Sequence, residues 1–200
     1  CLNWKKVYSE GIAKCGDGAE WRTIIADSVG RKGICDDIPG INNSAFYLNQ
    51  PHEYCLNMEL VSKPVKRDFA AWCYVQSRCS SLGMGKQINK ELAWKSCSAH
   101  DKKLSDLAPA QLFEIAKNIN MNHTQFALAA YEWDQVKGMF PPRPSARQAL
   151  QSFAESKGWR TPTHKTALSK PKRLQTLKFG NQTWEVTSNK AVCVEGCPIE

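Results

Sequence analysis

The chain has 200 residues, 42% of them hydrophobic, and a formal charge of +8. That is enough apolar material to bury a core, so one domain with an extension or two small domains is predicted, and a disordered chain is excluded. The longest apolar run, near Phe126 to Tyr131, falls well short of the roughly 18 to 20 residues of a membrane-spanning helix, so a soluble or peripherally bound protein is predicted.

In chain order, Asn3 to Cys15 and Glu20 to Gly30 have helical spacing, with Trp4, Val7 and Tyr8 on one stripe and Trp21, Ile24, Ile25 and Val29 on the other. Because the chain opens at Cys1 with no signal-type stretch, it reads as processed or trimmed, its targeting segment removed. The middle, Cys35 to Cys97, reads as loop-rich. Ser105 to Asn120 predicts a helix with Pro109 in its first turn and Leu112, Ile115, Ala116 and Ile119 on one face. Asn122 to Gly138 predicts a second, capped by Asn122, ended by Gly138 and carrying Phe126, Ala129, Ala130 and Trp133 inward. Together they form a helical hairpin. Three prolines between Gly138 and Ser145 mark a linker. Beyond it, Ser145 caps a helix with Ala149, Leu150 and Phe153 on its stripe, which Gly158 closes. Alternation from Leu174 to Thr187 around Gly180-Asn181 predicts a two-residue β-hairpin. The expected fold is an α-rich, small, disulfide-stabilised domain (α+β, with a loop-rich centre) over residues 1–137, followed at 138–200 by an extended basic arm containing a helix and the hairpin.

The nine cysteines are Cys1, Cys15, Cys35, Cys55, Cys73, Cys79, Cys97, Cys193 and Cys197. They lack the paired short knuckles of a zinc ribbon, so structural disulfides in an oxidising compartment are predicted rather than a metal site. Cys55, Cys73, Cys79 and Cys97, spaced 18, 6 and 18 positions apart, form a stapled module. All four are expected to be oxidised, paired with one another or with the N-terminal cysteines, and Cys193 with Cys197 can close a terminal loop. The odd count leaves at least one thiol unpaired, and spacing alone does not select the connectivity. Trp72 and Tyr74 flank Cys73 as in a short extended segment, which puts both rings on one face and the sulfur on the other.

Charge is unevenly spread. Gln135 to Trp184 holds ten basic residues against one acid, Glu155, a charge of +9, while the rest of the chain is at −1. Lys137, Arg143, Arg147, Arg160, Lys170, Lys172 and Arg173 are the cations expected to steer docking onto an acidic protein surface or a larger membrane protein complex. Phe153, Trp159, Phe179 and Trp184 are the expected apolar anchors. Nucleic acid is not the expected partner: the cysteine usage points away from nucleus and cytosol, and the basic residues are dispersed rather than interleaved with aromatics on a helix face.

Signatures of catalysis are absent. Leu82 to Gln87 carries two glycines and a lysine but neither the spacing nor the hydroxyl residue of a phosphate loop, so Gly83 and Gly85 are read as turn residues with positive backbone dihedrals. His52, His100, His123 and His164 are scattered, and only Cys97 beside His100 offers a thiol-and-imidazole pair. No catalytic residue, cofactor or metal is expected. Sequons stand at Asn42, Asn122 and Asn181, where chance supplies about one or two, so the signal is slight.

The pattern C-x-N at Cys55, WCYV-x-S-x-C from Trp72 to Cys79, and W-K-x-C ending at Cys97, followed by the Lys103 to Asn118 stretch and a second helix, resembles the cysteine-rich "WCYV" domain of dinoflagellate proteins. The resemblance covers roughly Cys55 to Tyr131. The WCY element is also similar to kringle and fibronectin type II modules, whose further cysteines and aromatic binding residues are not matched. The dinoflagellate resemblance implies an interaction or assembly module without catalytic residues, such as a lumen-side subunit of a photosystem–antenna supercomplex in the thylakoid lumen. Alternatives are a secreted ligand-binding module and a thiol-dependent enzyme built on Cys97 and His100.

Overall fold

In the computed structural model, the residues described are 1–22, 33–36, 45–58, 71–140, 175–187 and 190–198. The expectation of an α-rich domain is overturned. Two three-stranded antiparallel sheets organise the described chain, in the orders β1-β3-β2 and β4-β5-β6, and the helices between them are short.

The first sheet lies in the segment read as loop-rich. Strand β1, Trp72–Gln76, pairs antiparallel with β3, Leu92–Ser96, in the register Trp72↔Ser96, Tyr74↔Trp94 and Gln76↔Leu92. The two-residue β2, Lys86–Gln87, adds the second edge of β3. Trp72, Cys73, Tyr74 and Val75 are all buried, so β1 is covered on both faces. Such a strand shows no polar alternation, so beyond the short extended segment expected around Cys73 periodicity did not reveal it. Gly83 has the expected positive φ, +59°. Gly85 serves differently: its backbone runs so close to the Trp94 carbonyl and Lys95 that there is no room for a Cβ.

The predicted N-terminal helix is cut to α1, Trp4–Ser9. Asn3 caps it, its Oδ1 accepting the Lys6 N–H at 3.1 Å, and Gly11 turns the chain away at φ +68°. Of the helix expected from Glu20 to Gly30, a 3-10 turn at Glu20–Arg22 is observed, and 23–32 lie outside the described residues. The helical hairpin forms with breaks. Helix α2 spans Pro109–Asn118, with Pro109 at its first turn and Gln111 Oε1 accepting the Ala108 N–H. The second predicted helix divides into α3, His123–Ala130, and α4, Trp133–Val136, followed by a 3-10 turn, Lys137–Met139. The division falls at Tyr131, whose buried ring anchors through a hydroxyl bond to the Leu107 carbonyl at 2.6 Å, and Gln135 starts the next turn by accepting the Glu132 N–H.

The hairpin is found where expected: β4, Gln175–Phe179, and β5, Gln182–Val186, meet in the register Phe179↔Gln182, with Gly180 at φ +57°. A third strand, β6, Ala191–Glu195, pairs with β5. The linker and the helix expected between Ser145 and Gly158 lie outside the described residues. Strand β4 packs against α4 and the Lys137–Met139 turn, and Leu177 and Val186 join the same buried cluster as Trp4, Trp72 and Leu112. Gly138, expected only as a helix terminator, sits against the Thr176 backbone so closely that a Cβ would not fit.

The core is dominated by aromatic rings. Trp4 stands edge-on to Trp72 at 4.7 Å and to Tyr74 at 5.5 Å, and Tyr47 closes the group 5.3 Å from Trp4. Trp72 and Tyr74 therefore do share a face, as the alternation predicts.

Candidate functional site

Four disulfides form: Cys1–Cys73, Cys15–Cys35, Cys55–Cys97 and Cys193–Cys197. Cys79, expected among the oxidised four, keeps a free thiol. The reason is position along the strand. Cys73 and Cys97 lie at the end of the β1–β3 ladder where Trp72 faces Ser96, whereas Cys79 follows the turn at the other end, a strand length away, with its sulfur 3.7 Å from the Ser81 carbonyl. Cys97 is disulfide-bonded and 8% exposed, so the thiol-enzyme alternative has no nucleophile there, and His100 lies in an exposed turn. Four disulfides suit an oxidising, extracytoplasmic type of environment.

Two of these bridges share one place. The N-terminal strap is tied to β1 by the Leu2 N–H on the Tyr74 carbonyl at 2.8 Å, and Cys55 is held by its N–H on the Lys102 carbonyl and by Leu104 donating to its own carbonyl. Leu56 exchanges both backbone bonds with Trp72, and the Cys97 N–H meets the Ala71 carbonyl at 2.7 Å. These ties converge the sulfurs of Cys1, Cys55, Cys73 and Cys97 to within 4.8 Å of one another. Across the two bridges, Cys1 Sγ lies 3.3 Å from Cys55 Sγ and Cys97 Sγ 3.7 Å from Cys73 Sγ.

Beside the aromatic cluster lies a buried carboxyl that sequence reading assigned to a helix and otherwise passed over. Glu20 is 0% exposed. Its Oε1 accepts the hydroxyls of Tyr8, at 2.7 Å, and of Tyr74, and its Oε2 accepts the Gly18 N–H at 3.0 Å. Burial raises the Glu20 pKa, although the tyrosine bonds favour the anion and oppose the shift. Burial and the facing carboxylate push both tyrosines far above their ordinary range, so they remain donors. Nothing in the sequence around Glu20 signals this, because its partners come from α1 and β1.

His52 is half-buried and enclosed at its ring nitrogens. The Tyr54 N–H donates to Nδ1 at 3.3 Å, so Nε2–H donates to Gln50 Oε1 at 3.0 Å. Burial lowers its pKa from 6.5 to about 4. Unfolding restores ordinary basicity, so the unfolded chain binds the extra proton between those values. The contribution of His52 to stability is complete above pH 6.5 and is lost as pH falls through about 4, on the order of 3 kcal/mol in all. Proton NMR is expected to show the His52 ring of the folded protein untitrated down to pH 5; a midpoint near 6.5 would refute this environment.

Of the expected docking residues, Lys137 is exposed and pairs with Asp134 at 3.0 Å, a surface contact of little energetic weight. Phe179 is half-buried with its ring 5.8 Å from that of Tyr131, and Trp184, also half-buried, donates its indole N–H to Gln182 Oε1. Arg143, Arg147, Phe153, Trp159, Arg160, Lys170, Lys172 and Arg173 lie outside the described residues. Missed in the sequence were Val192 and Val194, 41% and 49% exposed on the edge strand β6; an alternating strand alone does not tell which face stays open. No helix among the described residues is long and apolar enough to cross a membrane.

Compared with known proteins, the chain matches no family model, no curated protein and no solved structure.

Proposed function

We propose that the protein is a non-catalytic interaction subunit that docks onto an acidic surface of a larger membrane protein complex. The observation that carries this reading is the division of charge: +9 between Gln135 and Trp184 against −1 elsewhere. Like charge held on one segment raises the rate and specificity of encounter with an acidic face. Val192 and Val194, open on the neighbouring sheet edge, add apolar surface of the kind that docking desolvates. The interior supports a structural rather than a catalytic role: Glu20 is consumed by two tyrosines and a backbone N–H, and Cys97 by a disulfide. Within this reading, the WCYV resemblance favours the thylakoid lumen and a photosystem–antenna supercomplex as the partner.

Removing residues 135–200 is a poor test, because Leu177 and Val186 belong to the core. A cleaner variant replaces Arg143, Arg147, Arg160, Lys170, Lys172 and Arg173 with serine. Native protein isolated in mild detergent is expected to travel with its complex, and the variant to lose at least tenfold in association while folding normally. A wild-type protein that runs as a free monomer, or a six-serine variant that still co-purifies, would end the proposal.

A further inference from the structure

We infer that the sulfurs of Cys1, Cys55, Cys73 and Cys97, besides forming two disulfides, constitute a tetrathiolate site for one soft divalent cation of the Zn²⁺ class when the chain is reduced. The inference is independent of the docking reading and rests on convergence. Four sulfurs drawn from the N-terminal strap, the Cys55 bridge, β1 and the end of β3 lie within 4.8 Å of one another. Tetrahedral zinc with Zn–S near 2.3 Å requires sulfurs about 3.8 Å apart. Two of the four distances across the bridges, 3.3 and 3.7 Å, are already close to that edge, and the other two stay within 4.8 Å. Opening each S–S bond to the same spacing moves each sulfur by only about 0.9 Å, within reach of a side-chain rotation.

The backbone favours this over an exchange that would pair Cys73 with Cys97. Cys73 faces Lys95 across the ladder, and Cys97 lies two residues beyond Lys95, just past the end of β3 and hydrogen-bonded to Ala71, a diagonal relation. Diagonal Cα atoms are typically about 7 to 8 Å apart, at or beyond the reach of a disulfide, whereas two ligands of a common ion need no direct bond. Cys1 is the member that reaches solvent, which gives an ion an entry. Lys102 and Lys103 adjoin Cys55 through its backbone bridge, while Lys95, opposite Cys73, is already paired with Asp101 at 2.6 Å; the four thiolates exceed the ion's charge by two. The ligands are 54, 18 and 24 positions apart in sequence, so no knuckle spacing announces them.

The two states exclude each other. Loading releases four thiol protons. Oxidation by a small-molecule disulfide then consumes two such molecules and four protons, forms Cys1–Cys73 and Cys55–Cys97, and liberates the cation and four small thiols, so electrons and charge balance.

The test uses the full chain, reduced under anaerobic conditions and loaded with one equivalent of Zn²⁺. Brief alkylation and peptide mapping are expected to find Cys1, Cys55, Cys73 and Cys97 protected at least tenfold relative to Cys15, Cys35, Cys79, Cys193 and Cys197. Co²⁺ in place of Zn²⁺ is expected to give the visible bands and sulfur-to-metal charge transfer of a 1:1 tetrahedral tetrathiolate. Oxidised glutathione should then release one ion per chain to a chromophoric chelator. Cys73→Ser is expected to weaken binding at least tenfold, and Cys79→Ser to leave it unchanged. Equal alkylation of all nine cysteines, protection of a different set, a cobalt spectrum without tetrathiolate character, or Cys73→Ser binding as wild type would each overturn the site; so would a reduced chain that fails to assemble around the ion.

Discussion

The double variant C1A/C73A is expected to lose about 4 kcal/mol of unfolding free energy, read as a lower urea midpoint. The bridge closes a loop with a sequence separation of 72, and the entropy that a cross-link of that length removes from the unfolded chain accounts for about 4 kcal/mol. Total stability of a domain is typically about 5 to 15 kcal/mol, so this single loss approaches the threshold of folding at physiological temperature. Local structure sharpens the expectation. Cys1 tethers the strap that carries Trp4, a fully buried ring at the centre of the aromatic cluster, and Trp4 is otherwise held by its indole N–H on the Tyr54 carbonyl and its backbone N–H on the His52 carbonyl. The variant should therefore show altered tryptophan fluorescence before global unfolding. C193A/C197A is the internal comparison: its separation is 4, and the same reasoning allows about 2 kcal/mol at most. Equal costs for the two variants would show that loop entropy is not what the Cys1 bridge contributes.

What the sequence disclosed follows from which interactions are local. The Gly180-Asn181 hairpin, the Pro109 helix start and the Cys193–Cys197 loop depend on neighbours within a few residues, and all were legible. Around Cys73 the extended segment was legible, but its length to Gln76 and its pairing with Leu92–Ser96 were not, because burial on both faces erases the alternation by which a full strand is recognised. The second helix is interrupted at Tyr131, whose hydroxyl bonds the Leu107 carbonyl 24 positions away, a partner that local periodicity does not disclose. Cys79 fits the cysteine spacing as well as its neighbours do; only the ladder shows that it emerges at the wrong end. The sulfur cluster and the Glu20 network share this character, being built by ties between elements far apart in the chain.

Glu20→Ala is expected to cost about 4 kcal/mol, and Glu20→Gln distinctly less. Alanine leaves the Tyr8 and Tyr74 hydroxyls and the Gly18 N–H without their acceptor in a fully buried position, each at about 1 to 3 kcal/mol if unrelieved, and adds a cavity beside the Tyr8 and Tyr74 rings. Glutamine keeps one oxygen for the two tyrosines but turns an N–H₂ toward the Gly18 N–H, so one donor loses its partner. It also removes a charge whose burial is unfavourable, which offsets part of that loss. The two variants should differ in pH dependence as well as in magnitude. Since burial raises the Glu20 pKa above 4.5, the folded state holds the proton more tightly than the unfolded chain. The associated stability is therefore fully present below pH 4.5 and is lost as pH rises through the folded value. Glutamine cannot titrate, so the wild-type advantage over Glu20→Gln should widen as pH is lowered from 7 toward 4, with His52, common to both proteins, cancelling from the comparison. Urea titrations of the pair across that range decide it: a gap that narrows on acidification would mean that Glu20 is held as a preferred anion, and that the two tyrosines outweigh its burial.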